Sequence, residues 1–309
     1  MKYLDALLFI DTNQYLDLYR MCTGKSQLPA LKEQQDHIFM TEQVVEEVQR
    51  NKVRVAAEFL EREFKKLKAP NLVVPTHLFS ATDDRVQRIH EALKKDHVQI
   101  NIVNQQLKEL AYDLLDQITR SEDEVSKALE ELLTKATPPT EDELQRARMR
   151  KERGNAPGKK NGPLGDQLNW EQILSRCQSK TKLWIITGDG DYATEYKGKM
   201  FLNAELYQDL AKLFGSAPEV FCFNNIPDGI KHFAEITKVR AEKLPTPEET
   251  EQIKKEQESL PPLGWLSDDD NGAFIVMQNA LIRKNFSAAW LNIQTNPLWV
   301  DELPPPSGQ

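Results

Sequence analysis

The sequence has 309 residues, 39% hydrophobic and 28% charged, as expected of one large globular domain or a domain of about 200 residues with appendages. The net charge of −8 argues against a protein that coats nucleic acid along its whole surface. The apolar N-terminal run is too short for a signal peptide, and no stretch reaches the roughly 18 apolar residues of a membrane span. Three dispersed cysteines indicate a cytoplasmic protein with reduced thiols.

The N-terminal part is predicted to begin with a strand and a helix. Leu7–Ile10 has the apolar run of a buried strand, which ends at Asp11. After a second short apolar run at 38–40, Thr41 is placed as the N-cap of a long helix. On that helix Glu46 lies about 150° from the centre of the apolar face, whereas Glu47 lies about 105° away, at its edge. Glu47 is therefore the acid that can reach a cleft.

The middle of the chain is predicted to be helical. From 84 to 135 it is almost free of Gly and Pro, with apolar residues at helical intervals, and we interpret 84–150 as a helical hairpin insertion. A basic segment follows at 146–160, with seven Lys and Arg against one Glu. Such a run is commonly only a solvated face, but this one directly precedes Asp166.

The later part again alternates helices and strands. Helices are predicted after Gly165 and over 204–214, and strands over 183–187 and 220–223. This alternation predicts an α/β fold with a parallel, doubly wound sheet, with residues 1–83 and 151–240 as its main domain. Residues 241–309 are predicted as a solvated, helix-prone linker and a C-terminal extension, whose aromatic part at 263–302 docks on the domain or on a partner.

Four acids are predicted to lie near the carboxyl ends of the parallel strands, where such sheets carry their functional groups. Asp11 and Asp189 each follow a predicted strand, Asp166 starts a helix, and Glu47 flanks the buried face of another. Crowded carboxylates repel one another unless a cation is bound, and Mg²⁺ and Mn²⁺ take oxygen ligands. The alternative is that they are turn and cap residues of an acidic protein.

Several motifs resemble those of PIN domains, namely FIDTN at 9–13, VVEEV at 44–48 and ITGDGD at 186–191, with Asp166 as the intervening acid. The segment 154–170 is similar to a bacterial PIN-like subfamily in which a helical insertion precedes a PPG…K…GD…W pattern. Ala156 replaces the first proline of that pattern. The resemblance covers about residues 5–235.

The resemblance implies a three-layer fold and a nuclease that uses Mg²⁺ or Mn²⁺ to cleave nucleic acid, RNA more often than DNA. Asp11, Glu47, Asp166 and Asp189 would hold the metal, and Asp191 would be an auxiliary acid. Thr12 and Asn13 would orient Asp11 and the water nucleophile. The nucleic-acid contacts would come from the basic segment, with the candidates Arg148, Arg150, Lys151, Arg153, Lys159 and Lys160.

Other functions share some of these features. A haloacid-dehalogenase phosphatase needs a second Asp where Asn13 stands. A catalytically silent scaffold would act through protein partners, and 84–150 and 263–302 are the candidate surfaces for a second copy or a regulatory protein. A toxin, a phage-defence effector cutting RNA or DNA, and an RNA-processing enzyme would share the same acids.

Overall fold

In the computed structural model of the chain, residues 5–66, 105, 107–261 and 263 are described. Met1–Pro261 form one compact unit, and a second unit, Pro262–Gln309, lies almost entirely outside the described residues. Apart from Leu263, the predicted docking segment 263–302 therefore lies outside the described residues. None of the described helices is long and apolar enough to cross a membrane.

A four-stranded parallel sheet forms the centre of the compact unit, as the sequence predicts. Its strands lie in the order β2–β1–β3–β6, with β1 at Ala6–Ile10, β2 at Ile38–Phe39, β3 at Lys182–Ile186 and β6 at Glu219–Phe223. Two more strands, β4 (Ala193–Tyr196) and β5 (Lys199–Leu202), form a separate antiparallel hairpin that the sequence pattern did not indicate. All five residues of β1 are buried, because β1 has a neighbour on each side and helices on both faces.

Ten α-helices are present among the described residues, together with a 3-10 turn at Gly24–Gln27. Thr41 precedes the long helix as predicted, and its hydroxyl accepts the amide N–H of Val44 at 3.2 Å. The helices are α1 (Thr12–Asp17), α2 (Leu28–Gln34), α3 (Glu42–Lys66), α4 (107–119), α5 (Glu124–Leu133), α6 (Glu141–Arg153), α7 (Gly165–Cys177), α8 (Ala204–Phe214), α9 (Ile226–Thr237) and α10 (Pro247–Ser259).

The aromatic contacts show that the sheet is the middle of three layers. On one face, Trp184 of β3 packs edge-on against Phe233 of α9, with ring centroids 5.2 Å apart. Phe9 of β1 points to the other face, since its partner across β3 is the residue after Trp184 and successive residues alternate. There Tyr192 contacts both Phe9 and Trp170 of α7, each at 6.4 Å.

The region predicted as an insertion contributes to the compact unit. Residues 84–104 lie outside the description, but α5 is packed, with Leu129 1% and Leu132 2% exposed. Leu110 of α4, which the helical pattern assigned to an apolar face, is 64% exposed instead. Thr137 pairs with Thr41 just past β2, which attaches the end of this region to the sheet.

Residues 241–261, predicted as part of a solvated, helix-prone linker, contain the helix α10 and pack on the main unit. The hydroxyl of Thr246 accepts the N–H of Glu249, and the resulting capping box starts α10. Ile253 is fully buried, and Lys254 pairs with Asp228 of α9 at 2.7 Å. One buried apolar residue in a helix of several turns is a weak sequence signal, which explains why the glutamates dominated the prediction.

Candidate metal centre

The acidic residues meet at the carboxyl edge of the sheet because β1 and β3 are parallel neighbours. Asp11 directly follows β1, and its N–H donates to the carbonyl of Ile186, the last residue of β3, at 2.9 Å. Thr187, Asp189 and Asp191 follow β3, so they lie beside Asp11 although they are more than 170 residues away in the chain. The sheet topology therefore brings the first and third predicted motifs together.

Asp11 is almost completely buried and surrounded by hydrogen-bond donors. Its Oδ2 accepts from the Thr187 hydroxyl at 2.7 Å and from the Asn13 amide at 2.5 Å, and its Oδ1 accepts from the Thr12 N–H at 2.7 Å. Burial, aided by the charge of Asp189, nevertheless raises the pKa of Asp11 to about 7. A carboxylate in this position is unfavourable without a cation, although its donors are arranged for the charged form.

Glu47 approaches the centre from α3 and is held by two side chains. Its Oε2 accepts from the Thr12 hydroxyl at 2.7 Å, and its Oε1 accepts from the Gln43 amide at 2.7 Å. Gly165, the first residue of α7, makes this approach feasible, because a Cβ there would lie only 2.1 Å from Oε1 of Glu47. The preceding residue on the helix, Glu46, is exposed.

Asp166, Asp189 and Asp191 form the tightest acidic group among the described residues. One carboxylate oxygen of each lies within 4.8 Å of the others. Burial raises the pKa of Asp166 well above its usual value, and the charges of Asp11, Glu47, Asp189 and Asp191 raise it further. The pKa of Asp189 is also raised, first by burial, while the nearby Lys159 lowers it. Asp166 thus lies in the combined field of all the predicted acids.

The arrangement differs in one respect from the predicted metal-ligand set. Asp191, predicted as an auxiliary acid, belongs to the close group, whereas Asp11 and Glu47 lie outside it. The carboxylates of Asp11 and Glu47 are engaged with hydroxyl and amide donors instead. Thr12 and Asn13, predicted to orient Asp11, both hydrogen-bond to it.

A series of side-chain amides connects this centre to the C-terminal helix α10. Gln257 donates to Oε1 of Gln14 at 3.3 Å, Gln14 donates to Oδ1 of Asn13 at 3.1 Å, and Asn13 donates to Asp11. We call Gln257, Gln14 and Asn13 the amide chain. Each amide donates its N–H toward Asp11, so the three dipoles point the same way and strengthen one another.

The loop before Asp166 adds a close backbone approach to the centre. Gly158 has a positive φ of 81°, and a Cβ there would lie 2.5 Å from Nε2 of Gln167 and 3.2 Å from Oδ2 of Asp166. Gln167 is fully buried, and neither of its amide atoms has a hydrogen-bond partner. An unpartnered buried amide next to an acidic group indicates a place for a further polar ligand, such as water or a hydrated ion.

The six predicted nucleic-acid-binding residues occupy different environments. Arg148, Arg153, Lys159 and Lys160 are exposed and Lys151 is partly exposed. Arg150 differs, because its side chain is only 11% exposed and pairs with Glu171 at 2.8 Å and Asp209 at 2.7 Å. A guanidinium occupied by two acids and the carbonyl of Ala156 holds α6, α7 and α8 together rather than facing a phosphate.

Some residues of the centre were not found by sequence reasoning. Thr187 donates to Asp11 and accepts the N–H of Asp189, and it stands directly before the GDGD motif, where it could have been recognised. Gln14 acts through contacts with Asn224 and Gln257 that no sequence pattern marks, whereas Gln43 lies four residues before Glu47 on α3, a spacing at which helix side chains meet. Tyr192 is fully buried and donates its hydroxyl to the carbonyl of Asp166 at 3.1 Å, which fixes the start of α7.

The donor set fits a hard divalent cation. The close group contains only carboxylates, which suit Mg²⁺ and Mn²⁺ rather than a zinc site built from His or Cys. The raised pKa values of Asp11, Asp166 and Asp189 reflect burial together with repulsion among neighbouring acids. A bound cation would offset both effects.

Comparison with known proteins gives one match. The family model described as PIN domain matches residues 8–192, which include Asp11, Glu47, Asp166, Asp189 and Asp191. No curated protein and no solved structure matches the chain. The match ends before β4, so the hairpin, β6 and the helices α8 to α10 lie outside it.

Proposed function

Since the chain belongs to the PIN domain family, we propose that it is a metal-dependent endonuclease that hydrolyses phosphodiester bonds in single-stranded RNA. Members of this family are in general metal-dependent nucleases. The observation that carries the proposal is the group of Asp166, Asp189 and Asp191 oxygens within 4.8 Å, in the combined field of Asp11 and Glu47. RNA, rather than DNA, follows from the resemblance of the motifs and not from the geometry.

The acids are proposed to hold Mg²⁺ or Mn²⁺ through Asp11, Glu47, Asp166 and Asp189, with Asp191 as a further ligand or water contact. A divalent cation in such a site lowers the pKa of water and neutralises charge on phosphate oxygens. Thr12 and Asn13 keep the carboxylates of Glu47 and Asp11 oriented. The enzyme itself forms no covalent bond to the substrate in this proposal.

The phosphate backbone is proposed to follow the exposed basic residues next to the acidic group. Lys159 lies close to the acids, since its charge lowers the pKa of Asp189. Arg148, Lys151, Arg153 and Lys160 extend this path, and Arg150 is left out because its guanidinium is occupied. Local positive charge of this kind binds phosphate even on a protein with a net charge of −8.

For the biological role we propose a cytoplasmic toxin or phage-defence effector. The three cysteines, all in the described part of the chain, form no disulfide, which is compatible with that compartment. A DNA-cleaving nuclease and a silent scaffold that binds a second copy or a regulatory protein through 84–150 or 263–302 are the competing functions.

The test is incubation of the purified protein with end-labelled single-stranded RNA and DNA, with Mn²⁺, Mg²⁺ or EDTA. We expect Mn²⁺-dependent cleavage of RNA, lost in EDTA and in Asp11→Asn. Glu47→Gln should also abolish cleavage, whereas Glu46→Gln, one position away on the exposed side, should not.

Cleavage that persists in Asp11→Asn and Glu47→Gln contradicts the assignment of the centre. Cleavage of DNA alone selects the defence nuclease, and absence of cleavage of either nucleic acid, with Mn²⁺ binding also absent, favours the scaffold.

A further inference from the structure

The β4–β5 hairpin presents an exposed face of aromatic and basic side chains beside the acidic centre. Thr194 pairs with Phe201 and Tyr196 pairs with Lys199 across the two strands, so these four side chains lie on one face. All four are exposed, with Tyr196 64% and Phe201 48% accessible. Single exposed aromatic residues are common, but two neighbours on one open sheet face, flanked by lysines, are not explained by packing.

The opposite face of the hairpin is the one that packs. Ala193 is buried, and the carboxylate of Glu195 accepts from the amide of Asn224, just past β6, at 3.0 Å. Met200 and Leu202 are partly buried on the same side. The hairpin is therefore held on the body of the protein by one face, which leaves the aromatic face open.

Two lysines supply positive charge at the rings. The ammonium of Lys197 lies 5.4 Å from the Tyr196 ring centroid, and that of Lys199 lies 5.4 Å from the Phe201 ring centroid. Lys197 occupies a turn position with φ 51°, followed by Gly198 with φ 76°. Asn or Gly is the usual residue at the first of these positions, so the turn holds a lysine where turn geometry alone favours another residue.

The hairpin is also continuous with the acidic centre. Asp191 is separated from β4 only by the buried Tyr192, and Tyr196 is five residues after Asp191. At about 3.3 Å per extended residue, the Cα of Tyr196 lies within about 16 Å of the Cα of Asp191. A strand of nucleic acid that crosses the centre can reach the rings within a few nucleotides.

We propose that this face, formed by Thr194, Tyr196, Lys199 and Phe201 with Lys197, is a stacking platform for unpaired bases of a single-stranded nucleic acid. The aromatic rings stack on two bases, and the lysines pair with the adjoining phosphates. A duplex has no unstacked bases to offer, so the platform selects single strands. The platform rests on the proposed nuclease function in one respect, namely that the bound strand continues from the platform to the acidic centre.

The platform lies beyond residue 192, where the family match ends. Because the platform follows Asp191 closely in the chain, we expect it to bind the nucleotides that flank the scissile phosphate.

The first experiment measures binding without cleavage. Full-length protein in EDTA is titrated into a fluorescein-labelled single-stranded RNA 12-mer and followed by anisotropy. We expect Tyr196→Ala and Phe201→Ala each to weaken binding by about 5- to 150-fold, the range for loss of one stacked base. Tyr196→Phe and Phe201→Trp keep a ring face and should bind within about twofold of the wild type. A hairpin duplex of the same composition should compete poorly.

Lys197→Asn separates binding from structure. Asn suits the positive-φ turn, so the thermal stability of this variant should equal or exceed that of the wild type. Its affinity for the 12-mer should nevertheless fall, and the slope of log affinity against log salt should decrease by about 0.7, the value for one phosphate contact to a single strand. The control Tyr112→Ala removes an exposed aromatic residue of α4, which is not adjacent to the hairpin in the chain, and should change neither quantity.

Mn²⁺-dependent hydrolysis of bis(p-nitrophenyl) phosphate reports on the acidic centre alone, because this substrate is too small to reach the platform. Wild-type binding by both alanine variants, or absence of single-strand binding by the wild type, overturns the platform. Self-association of the wild type that is lost in these variants overturns it in favour of an interface between two copies. Absence of hydrolysis with intact, ring-dependent binding overturns the nuclease proposal and leaves the platform standing.

Discussion

Asp11→Asn should make the metal-free protein more stable at high pH relative to the wild type. The pKa of Asp11 is about 7 in the folded protein against 3.8 for an ordinary Asp, mainly because the carboxyl is buried. Between these two values the folded state binds the proton that the unfolded state has released. The free energy of unfolding of the wild type therefore falls as the pH rises from about 4 to about 7, and the loss is complete above pH 7.

The size of the effect follows from the shift. About three pKa units correspond to about 4 kcal/mol over the whole window, of which about 3 kcal/mol falls between pH 5 and pH 8. The amide in Asp11→Asn has no charge to bury, so this pH dependence disappears. The variant also loses one acceptor for the donors of Thr187 and Asn13, which lowers its free energy of unfolding by about 1–3 kcal/mol at every pH. The pH-independent loss cancels when the two pH values are compared.

Urea denaturation of both proteins in EDTA, followed by circular dichroism at pH 5 and pH 8, measures the two differences. The stability of Asp11→Asn minus that of the wild type should increase by about 3 kcal/mol from the lower to the higher pH. Adding Mn²⁺ at pH 8 should raise the stability of the wild type and have a smaller effect on the variant. Parallel pH dependences of the two proteins would refute the reasoning, because the buried charge would then not be carried by Asp11.

Three further substitutions test separate parts of the structure. Gly165→Ala places a methyl group 2.1 Å from Oε1 of Glu47 and should weaken Mn²⁺ affinity, measured by calorimetry, at least about tenfold. The control Gly190→Ala should leave this affinity unchanged, because a Cβ there meets nothing within 4 Å. Arg150→Ala removes the guanidinium from Asp209 and one of the two from Glu171, which keeps Arg146, and should lower the free energy of unfolding by about 2 kcal/mol in urea. Gln257→Met removes the first donor of the amide chain at similar side-chain length and should weaken Mn²⁺ affinity about threefold.

Matched variants serve as controls for these substitutions. Lys159→Ala, an exposed cation beside the acids, should change the free energy of unfolding by less than about 0.5 kcal/mol but slow RNA cleavage, the reverse of Arg150→Ala. Lys255→Ala on the exposed side of α10 should leave Mn²⁺ affinity unchanged. Equal effects of Lys255→Ala and Gln257→Met would mean that α10 contributes only general stability.

The parts of the fold predicted well are those with strong local signals. β1 and β3 are apolar runs that end at acids, and their parallel pairing follows from the alternation of strands and helices. The β4–β5 hairpin was missed because its turn is Lys197-Gly198 instead of the Asn-Gly or Asp-Gly that marks such turns. The segment predicted as a solvated, helix-prone linker does form the helix α10, but its packing on the main unit was not predicted, because its surface is rich in glutamate and Ile253 is its one buried residue.

In the candidate centre, too, some residues could be predicted from local sequence signals and others could not. The acids stand at strand and helix ends, so position along the chain could suggest them, and the family resemblance named them. The role of Gly165 could not be predicted, since it depends on how closely α3 approaches α7. Arg150 was grouped with its basic neighbours because charge in a sequence does not reveal which cation is paired; only the packing of α6 against α7 and α8 does.

The pairing of β1 with β3 has a consequence for the time at which the centre forms during synthesis. Asp11 and Glu47 are made early, but their partners on the other side of the centre, Asp166 and Asp189, come more than a hundred residues later. At about 5–20 residues per second, Asp11 waits roughly 10–35 s for Asp189 to be added. During that interval β1 has no β3 to pair with. The acids therefore stay apart during the first part of synthesis, and the centre becomes complete only after more than half of the chain has been translated.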